Sequence, residues 1–172
     1  MPPNSSLTIH WVSKTAVLLA LTLAVQMLGL PPPITGPLIN AFLLIAAVTT
    51  GMTSGIVIGL LTPWVAFLRG ILPAPLGPLI PFIMIGNAAL VCVFSMIRLK
   101  RKTLSTGIIG VGAGAVVKYL ILAFAVRVVV DVPLPVARVM QFPQLLTALA
   151  GGAIALVLEQ ALIRVRYLRN GW

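Results

Sequence analysis

Lys118 is the residue of this chain whose chemistry most needs an explanation. It lies in GAVVKYLILAFAV, residues 114–126, where every neighbour except Tyr119 is apolar. An ammonium group in apolar surroundings is costly unless other groups compensate it. The two acidic residues, Asp131 and Glu159, are both distant from Lys118 in the chain. A lysine without a counter-ion is suited to an anionic ligand, which would supply the missing negative charge.

The sequence lacks the motifs that catalysis or metal binding would need. His10, in the N-terminal tail, is the only histidine, and Cys92 is the only cysteine, which excludes an intrachain disulfide. No glycine-rich phosphate loop is present, and the serine and acidic residues are too scattered to form a nucleophile and base pair. We therefore expect no enzyme activity, no catalytic residue, no metal site and no cofactor in this chain.

The composition is that of a protein that crosses a membrane several times. Hydrophobic residues make up 60% of the chain and charged residues 8%, with a mean hydropathy of +1.14. A soluble domain carries about a quarter charged residues. The net charge of +10 can suggest nucleic acid as a partner. Here the basic residues cluster between and after the apolar stretches, as they do in membrane proteins, so we expect no nucleic-acid partner.

Six apolar stretches have the length and spacing of membrane-spanning helices, which need about 20 residues. They cover residues 11–30, 37–50, 54–69, 78–98, 104–128 and 139–163. The second and third are short, so they are either two tilted crossings or include a partly re-entrant segment. We predict an all-α membrane protein, a six-transmembrane-helix bundle. The single transmembrane domain spans residues 11–166, between tails of residues 1–10 and 167–172.

The basic residues predict how the bundle is oriented. Eight of the twelve lie on one side: Lys14, Arg98, Lys100, Arg101, Lys102, Arg164, Arg166 and Arg169. On the other side are Arg69, Arg127 and Arg138. Because cytoplasmic loops carry the excess of lysine and arginine, we expect both termini in the cytoplasm, N-in and C-in.

The polar side chains converge on the outer half of this predicted bundle. With a rise of about 1.5 Å per residue, Lys118 lies about 3 Å to the outer side of the midplane, and Asn87 is at nearly the same depth. Polar residues in the outer part of other helices are Gln26, Asn40, Arg69 and Gln144. We therefore predict a pocket that opens to the outside.

The candidate substrate-binding residues are those that this pocket would bring together. They are Lys118, Asn87, Gln144, Gln141, Asn40, Arg69 and Tyr119. Gln141 and Gln144 share one helix face, and Pro143 between them frees backbone groups, as happens where a helix borders a cavity.

Three of these residues, Lys118, Asn87 and Arg69, also have a purely structural interpretation. Lys118 would have to snorkel across about 15 Å of hydrocarbon or pair with a distant acid. Asn87 is also suited to an interhelical hydrogen bond, and Arg69 to the outer membrane interface. We expect Glu159 to pair with an arginine near the inner surface.

A stripe of small residues runs along the first helix. Ala16, Ala20 and Ala24 recur every four residues in KTAVLLALTLAVQ. Such faces allow close helix–helix approach in lipid, either within the bundle or with another protein. The chain resembles the S component of energy-coupling factor (ECF) transporters over about residues 12–165. The resemblance rests on this stripe, the six crossings and the chain length. It also rests on three segments: GPLINAFLLIAAVTTGMTSGIVIGLLTPWVAFLRGILPAPLGPLIPFIMIGNAALV, VVKYLIL and FPQLLTALAGGAIAL.

The resemblance implies a function and a set of partners. In that family the alanine motif packs on a separate transmembrane T component, so Ala16, Ala20 and Ala24 would dock there. Two ATPase subunits supply the energy, so ATP is used by partners and not by this chain. The S component topples in the prokaryotic cell membrane and carries a vitamin inward. Lys118 without an acid favours an anionic ligand such as pantothenate, biotin, lipoate or a folate-like molecule.

Three other classes of membrane protein compete with this interpretation. A structural scaffold of the rod-shape type has a similar size and helix count and needs no outer pocket. A carrier driven by ions normally needs intramembrane acids or inverted repeats, and the sequence offers neither. A lipid-modifying enzyme would need a catalytic pair of a nucleophile and a base, which the sequence does not offer.

Overall fold

The computed structural model describes residues 5–170, and the side chains of residues 7–165. Seven α-helices occur in this range: α1 (Ser5–Met27), α2 (Pro32–Thr49), α3 (Met52–Leu68), α4 (Ile80–Ile97), α5 (Leu104–Phe124), α6 (Leu134–Val139) and α7 (Phe142–Asn170). A 3-10 helix, Ala74–Leu79, leads into α4, and a π-helical turn, Ala125–Val129, follows α5. The described residues contain no strand, so the all-α prediction is confirmed.

Five helical stretches are long and apolar enough to cross a membrane, and α3, with 17 residues, is shorter. The five are Leu7–Met27, Pro32–Thr49, Ala74–Ile97, Leu104–Val129 and Leu134–Val165. The chain is therefore a multi-pass membrane protein. The count of six crossings and the N-in, C-in orientation stay predictions.

The helix boundaries differ from the predicted ones mainly near the N-terminus. α1 begins at Ser5, so part of the predicted tail of residues 1–10 is helical. α2 begins at Pro32 and not near residue 37, because a proline in the first turn of a helix loses no intrahelical hydrogen bond. At the other end the backbone of α7 stays helical to Asn170. Residues 1–4 and 171–172 of the predicted tails, and the side chains of Arg166 and Arg169, lie outside the described residues.

The core is formed where α2, α4, α5 and α7 meet, with α3 against α2 and α4. Its largest fully buried side chains include Leu43, Leu44, Ile58, Leu90 and Phe94. α1 packs on α2 and α3 and is the most exposed of the long helices, with side chains such as Val17 and Leu21 facing outward. The first helix is therefore an outer layer of the bundle.

Two glycines bring the central helices into close contact. A Cβ atom on Gly114 of α5 would lie 2.9 Å from the carbonyl oxygen of Leu90 on α4. One on Gly151 of α7 would lie 2.6 Å from the Cβ of Asn40 on α2. Small residues at such positions let helix backbones approach in a membrane protein. These two contacts set the spacing of the helices that carry Lys118, Asn87 and Asn40.

The two ends of the bundle differ in structure. At the end where α3 leads into α4, hereafter the α3–α4 end, the segments before α4 and after α5 meet in an apolar cluster. Leu76, Leu79, Ala125 and Met140 are its buried residues. The opposite end, where α2 turns into α3 at Gly51 (φ 119°), is hereafter the α2–α3 end. The α4–α5 connection, with its exposed residues Lys100, Arg101 and Lys102, belongs to this second end.

Candidate functional site

A cluster of three polar side chains lies at the centre of the bundle. The Lys118 Nζ atom on α5 donates to Asn40 Oδ1 on α2 at 2.7 Å and to Asn87 Oδ1 on α4 at 2.8 Å. All three side chains are almost fully buried, with at most 3% of their surface exposed. We call these residues the lysine cluster.

The two asparagines are held in place by backbone carbonyl groups. Asn40 Nδ2 donates to the carbonyl oxygen of Gly36, and Asn87 Nδ2 donates to that of Gly59, each at 3.0 Å. A carbonyl oxygen only accepts and an ammonium group only donates. Each amide must therefore present its oxygen to Lys118, so the asparagines are oriented before any ligand binds.

The position of Asn87 follows from a proline on the neighbouring helix. Pro63 lies inside α3 and has no N–H group, so the carbonyl of Gly59, four residues earlier, lacks its usual helical donor. Asn87 Nδ2 supplies that donor. A Cβ atom on Gly59 would lie 3.0 Å from the Cβ of Asn87, so the glycine makes room for this contact. The sequence pair Gly59 and Pro63 thus fixes Asn87 beside Lys118.

The lysine cluster contains hydrogen-bond acceptors but no negative charge. Among the residues that the structure describes, the one salt bridge joins Arg98 to Glu159, and Asp131 is exposed. The asparagine oxygens accept hydrogen bonds from two of the three N–H groups of an ammonium, and the third N–H has no acceptor within the described part of the chain. This arrangement solvates a cation without neutralising it, and leaves it able to attract an anion.

The alanine stripe lies on the outer surface of α1. Ala16, Ala20 and Ala24 are all exposed, whereas Thr15 and Thr22 on the opposite face are buried. Thr15 Oγ1 donates to Ser54 Oγ on α3 at 2.9 Å. The polar face of α1 therefore packs inward, and packing within this chain does not account for the alanine stripe.

One known protein family matches most of the chain. The family model of the "ECF transporter, substrate-specific component" matches residues 12–163. The chain belongs to this family. No curated protein and no solved structure matches the chain at a significant level. This S component is thus a membrane-embedded, substrate-binding part of a transporter, and the resemblance noted in the sequence is confirmed. The family is not an enzyme family.

The structure brings together three of the seven predicted substrate-binding residues, namely Lys118, Asn87 and Asn40. Two expectations about them need correction. Lys118 does not face an open outer cleft, because its side chain is buried inside the bundle. Asn40 lies near the middle of α2 and not in its outer third, because α2 begins at Pro32.

The other four predicted residues do not take part in the hydrogen bonds of the lysine cluster. Arg69 is exposed at the end of α3, and Tyr119 is half-buried beside Lys118. Gln141 Oε1 accepts a hydrogen bond from Arg127 Nη2 at 2.9 Å. The Gln144 backbone N–H donates to the carbonyl of Gln141 at 3.0 Å. No hydrogen bond or ion pair within the described residues joins these side chains to Lys118, and their role in binding stays a prediction.

Sequence reasoning missed the groups that hold the lysine cluster together. Gly36 and Gly59 contribute through their carbonyl oxygens, which no side-chain pattern reveals. One signal was available: Pro63 inside an apolar helix leaves the carbonyl four residues earlier without a donor. A buried amide on a neighbouring helix is a natural partner for such a carbonyl.

A second buried cation, Arg98, has a very different environment. Its Nη1 and Nη2 atoms donate to the two carboxylate oxygens of Glu159 at 2.9 and 2.8 Å. The guanidinium carbon lies 5.1 Å from the ring centre of Phe94. The expectation that Glu159 pairs with an arginine is confirmed. This ion pair ties the end of α4 to α7.

Proposed function

We propose that this S component captures a small anionic vitamin or related micronutrient outside a prokaryotic cell and delivers it inward. The observation that carries the proposal is the lysine cluster, in which the partners of Lys118 Nζ among the described residues are two neutral amides. An intramembrane ionisable group without a counter-ion is a functional-site candidate. A carboxylate or phosphate on the ligand would supply the missing charge.

The ligand would use groups that are already in position. The carbonyl groups of Gly36 and Gly59 hold the asparagine amides in place. Lys118 would therefore keep its two hydrogen bonds to them and donate a third hydrogen bond to the anion. Charge-assisted hydrogen bonds of this kind are the stronger ones. Preorganised donors also lower the free-energy cost of ordering the site on binding. Pantothenate, biotin, lipoate and folate-like molecules all have a suitable carboxylate.

The route to Lys118 would lead through the α3–α4 end. The apolar cluster of Leu76, Leu79, Ala125 and Met140 lies beyond Lys118 along α4 and α5. It is built in part from a 3-10 helix, whose hydrogen-bond geometry is poorer than that of an α-helix, and from a π-helical turn, a form often found at functional sites. We infer that these segments move apart to admit the ligand. Arg69, Gln141 and Gln144 would then line the entrance.

The alanine stripe would be the surface that meets the coupling module. Ala16, Ala20 and Ala24 form an exposed face without large side chains, and such faces pack closely on other helices in lipid. We infer that a transmembrane T component docks there and that two ATPase subunits drive toppling of the S component. ATP would then act in the partners, with no cofactor in this chain.

The binding part of the proposal is tested by mass spectrometry of the detergent-purified protein. The wild type should retain a small anionic molecule. Lys118→Met should lose it, whereas Lys102→Met, which removes an exposed lysine of the α4–α5 connection, should retain it. Recovery of no anion from wild type, together with no binding of any of the four vitamin classes, would support the structural-scaffold alternative.

The docking part is tested by uptake in cells that also produce the T component and both ATPases. Ala20→Trp should abolish uptake of the ligand while its binding to the purified protein is unchanged. The matched control is Leu21→Trp, because Leu21 is also exposed but points about 100° away around the helix. Normal uptake by Ala20→Trp, or equal loss in both variants, would contradict docking on the alanine stripe.

A further inference from the structure

A groove lies at the α2–α3 end, far from the lysine cluster. It has a volume of ≈ 380 Å³, and its lining residues are Ser13, Lys14, Val17, Leu18, Thr49 and Thr50. A smaller adjoining space of ≈ 180 Å³ shares Lys14, Thr49 and Thr50 and is bordered in addition by Leu7, His10 and Trp11. We call the two together the α1–α2 groove.

The groove exists because α1 is longer than its neighbours at this end. α2 ends at Thr49, and the chain turns into α3 at residues 50–51. Lys14 borders the groove at the same level as this turn, and α1 begins nine residues earlier, at Ser5. At about 1.5 Å per residue, roughly 13 Å of helix extends beyond the turn. The groove therefore lies between the side of α1, which extends further, and the C-terminal end of α2.

The polar lining of the groove includes groups able to donate hydrogen bonds to an anion. The Lys14 ammonium is exposed, and neither it nor the Ser13 hydroxyl has a hydrogen-bond partner in the described part of the chain. The hydroxyls of Thr49 and Thr50 lie 3.4 Å apart, and Thr49 also donates to the carbonyl of Ile45. No acidic side chain lines the groove. Its charge is therefore positive.

The rest of the lining is apolar and continues onto the outer surface of the bundle. Val17 and Leu18 lie one turn from Lys14 along α1, and the Val17 side chain is 60% exposed. Trp11 borders the opposite side of Lys14, and tryptophan is enriched where membrane meets water. A suitable ligand thus combines an anionic head with an apolar tail along α1.

We propose that the α1–α2 groove binds the phosphate-bearing headgroup of an anionic phospholipid, with an acyl chain along Val17 and Leu18. Lys14 would pair with the phosphate, and the hydroxyl groups of Ser13 and Thr50 would donate to its oxygens. The α2–α3 end also carries the exposed Lys100, Arg101 and Lys102, and basic residues near a membrane surface attract anionic lipids. The bound lipid would border the alanine stripe, since Ser13 precedes Ala16 by one turn.

The experiment is native mass spectrometry of the whole protein titrated with phosphatidylglycerol or phosphatidylcholine in detergent. The wild type should form a phosphatidylglycerol adduct at lower lipid concentration than a phosphatidylcholine adduct. Lys14→Gln should weaken the phosphatidylglycerol adduct about fivefold, the effect of one cation near a membrane surface. Lys102→Gln, a control that removes an equal charge elsewhere at this end, should change it less than about twofold. Thr50→Val should weaken it by a smaller factor than Lys14→Gln.

Each other outcome contradicts the proposal. Equal affinity for phosphatidylcholine would show that the groove does not select an anionic headgroup. Equal losses in Lys14→Gln and Lys102→Gln would indicate a diffuse surface charge and not a site. Displacement of phosphatidylglycerol by excess inorganic phosphate would assign the groove to a free anion. Unchanged thermal unfolding of both lysine variants is expected, because both side chains are exposed, and it verifies that they fold.

Discussion

Two buried cations of this S component differ in how their charge is compensated. Arg98 makes two hydrogen bonds to the carboxylate of Glu159, at 2.9 and 2.8 Å, and the pair carries no net charge. Lys118 makes two hydrogen bonds of almost the same length, 2.7 and 2.8 Å, to neutral amides. The hydrogen-bond geometry is thus alike, while the net charge is not.

We propose that this difference separates a structural contact from a ligand-binding site. The two charges of a buried ion pair neutralise each other, and removal of one partner leaves the other charge uncompensated. A protonated Lys118 would carry a positive charge that an anionic ligand could pair with. The position of Arg98 at the end of α4 suits a tie between helices, whereas Lys118 lies at mid-helix among three helices.

The largest effect is expected from Glu159→Gln. It leaves the Arg98 guanidinium, which is 5% exposed, without a carboxylate, and loss of one partner of a buried pair costs about 3–5 kcal/mol. Thermal unfolding in detergent measures the loss. Asp131→Asn, which alters the other acidic residue at an exposed position, should have almost no effect. Equal stability of the two variants would show that the ion pair does not stabilise the bundle.

A smaller loss is expected from Asn87→Ala. It removes one acceptor of Lys118 and the donor to the carbonyl of Gly59, and a hydrogen bond to a charged group contributes about 1.5–3 kcal/mol. Asn40→Ala should cost less, because its amide otherwise contacts Gly36 of its own helix. Unfolding curves for the two variants show which of them loses more stability. A larger loss for Asn40→Ala would contradict the role assigned to Gly59 and Pro63.

Gly151→Ala tests whether helix spacing supports the lysine cluster. The added Cβ would lie 2.6 Å from the Cβ of Asn40, and such overpacking costs about 1–3 kcal/mol. We expect lower thermal stability together with weaker ligand binding. Gly112→Ala is the matched control, because its Cβ would meet nothing within 4 Å. It should raise stability slightly, by up to about 1 kcal/mol, and a similar loss in both variants would argue against a specific contact.

The smallest effect is expected at the interface of α1 and α3. The Thr62 hydroxyl is buried without a hydrogen-bond partner among the described residues, so Thr62→Val should leave stability unchanged or raise it by less than about 1 kcal/mol. Thr15→Val removes the bond to Ser54 and should lower stability by about 1 kcal/mol. Circular dichroism on heating distinguishes the two. A clear loss in Thr62→Val would mean that its hydroxyl contributes to stability.

The helices were predictable from sequence because apolar runs of membrane length are a strong signal. The first residues of the helices were harder to predict. α2 begins at Pro32, although the run of prolines suggested a break between helices there. This error placed Asn40 too near the outer surface. It hid the contact to Lys118, which depends on the depth of a residue in one helix relative to two others. The arginine partner of Glu159 was anticipated, because both are ionic groups near one end. Neutral amides were not anticipated as the partners of Lys118, because the sequence analysis treats an acid as the internal partner of an ammonium group.

The central claim is that the uncompensated charge of Lys118 binds the anionic ligand. The most direct test is Asn87→Asp, which places a carboxylate where an amide oxygen now lies 2.8 Å from Lys118 Nζ. Equilibrium binding of the anion that the wild type retains is measured alongside thermal unfolding. Because the new carboxylate takes the place of the ligand charge, affinity should fall at least about tenfold, the factor for 1.4 kcal/mol, while the protein remains folded. Unchanged affinity in the folded variant would contradict the account.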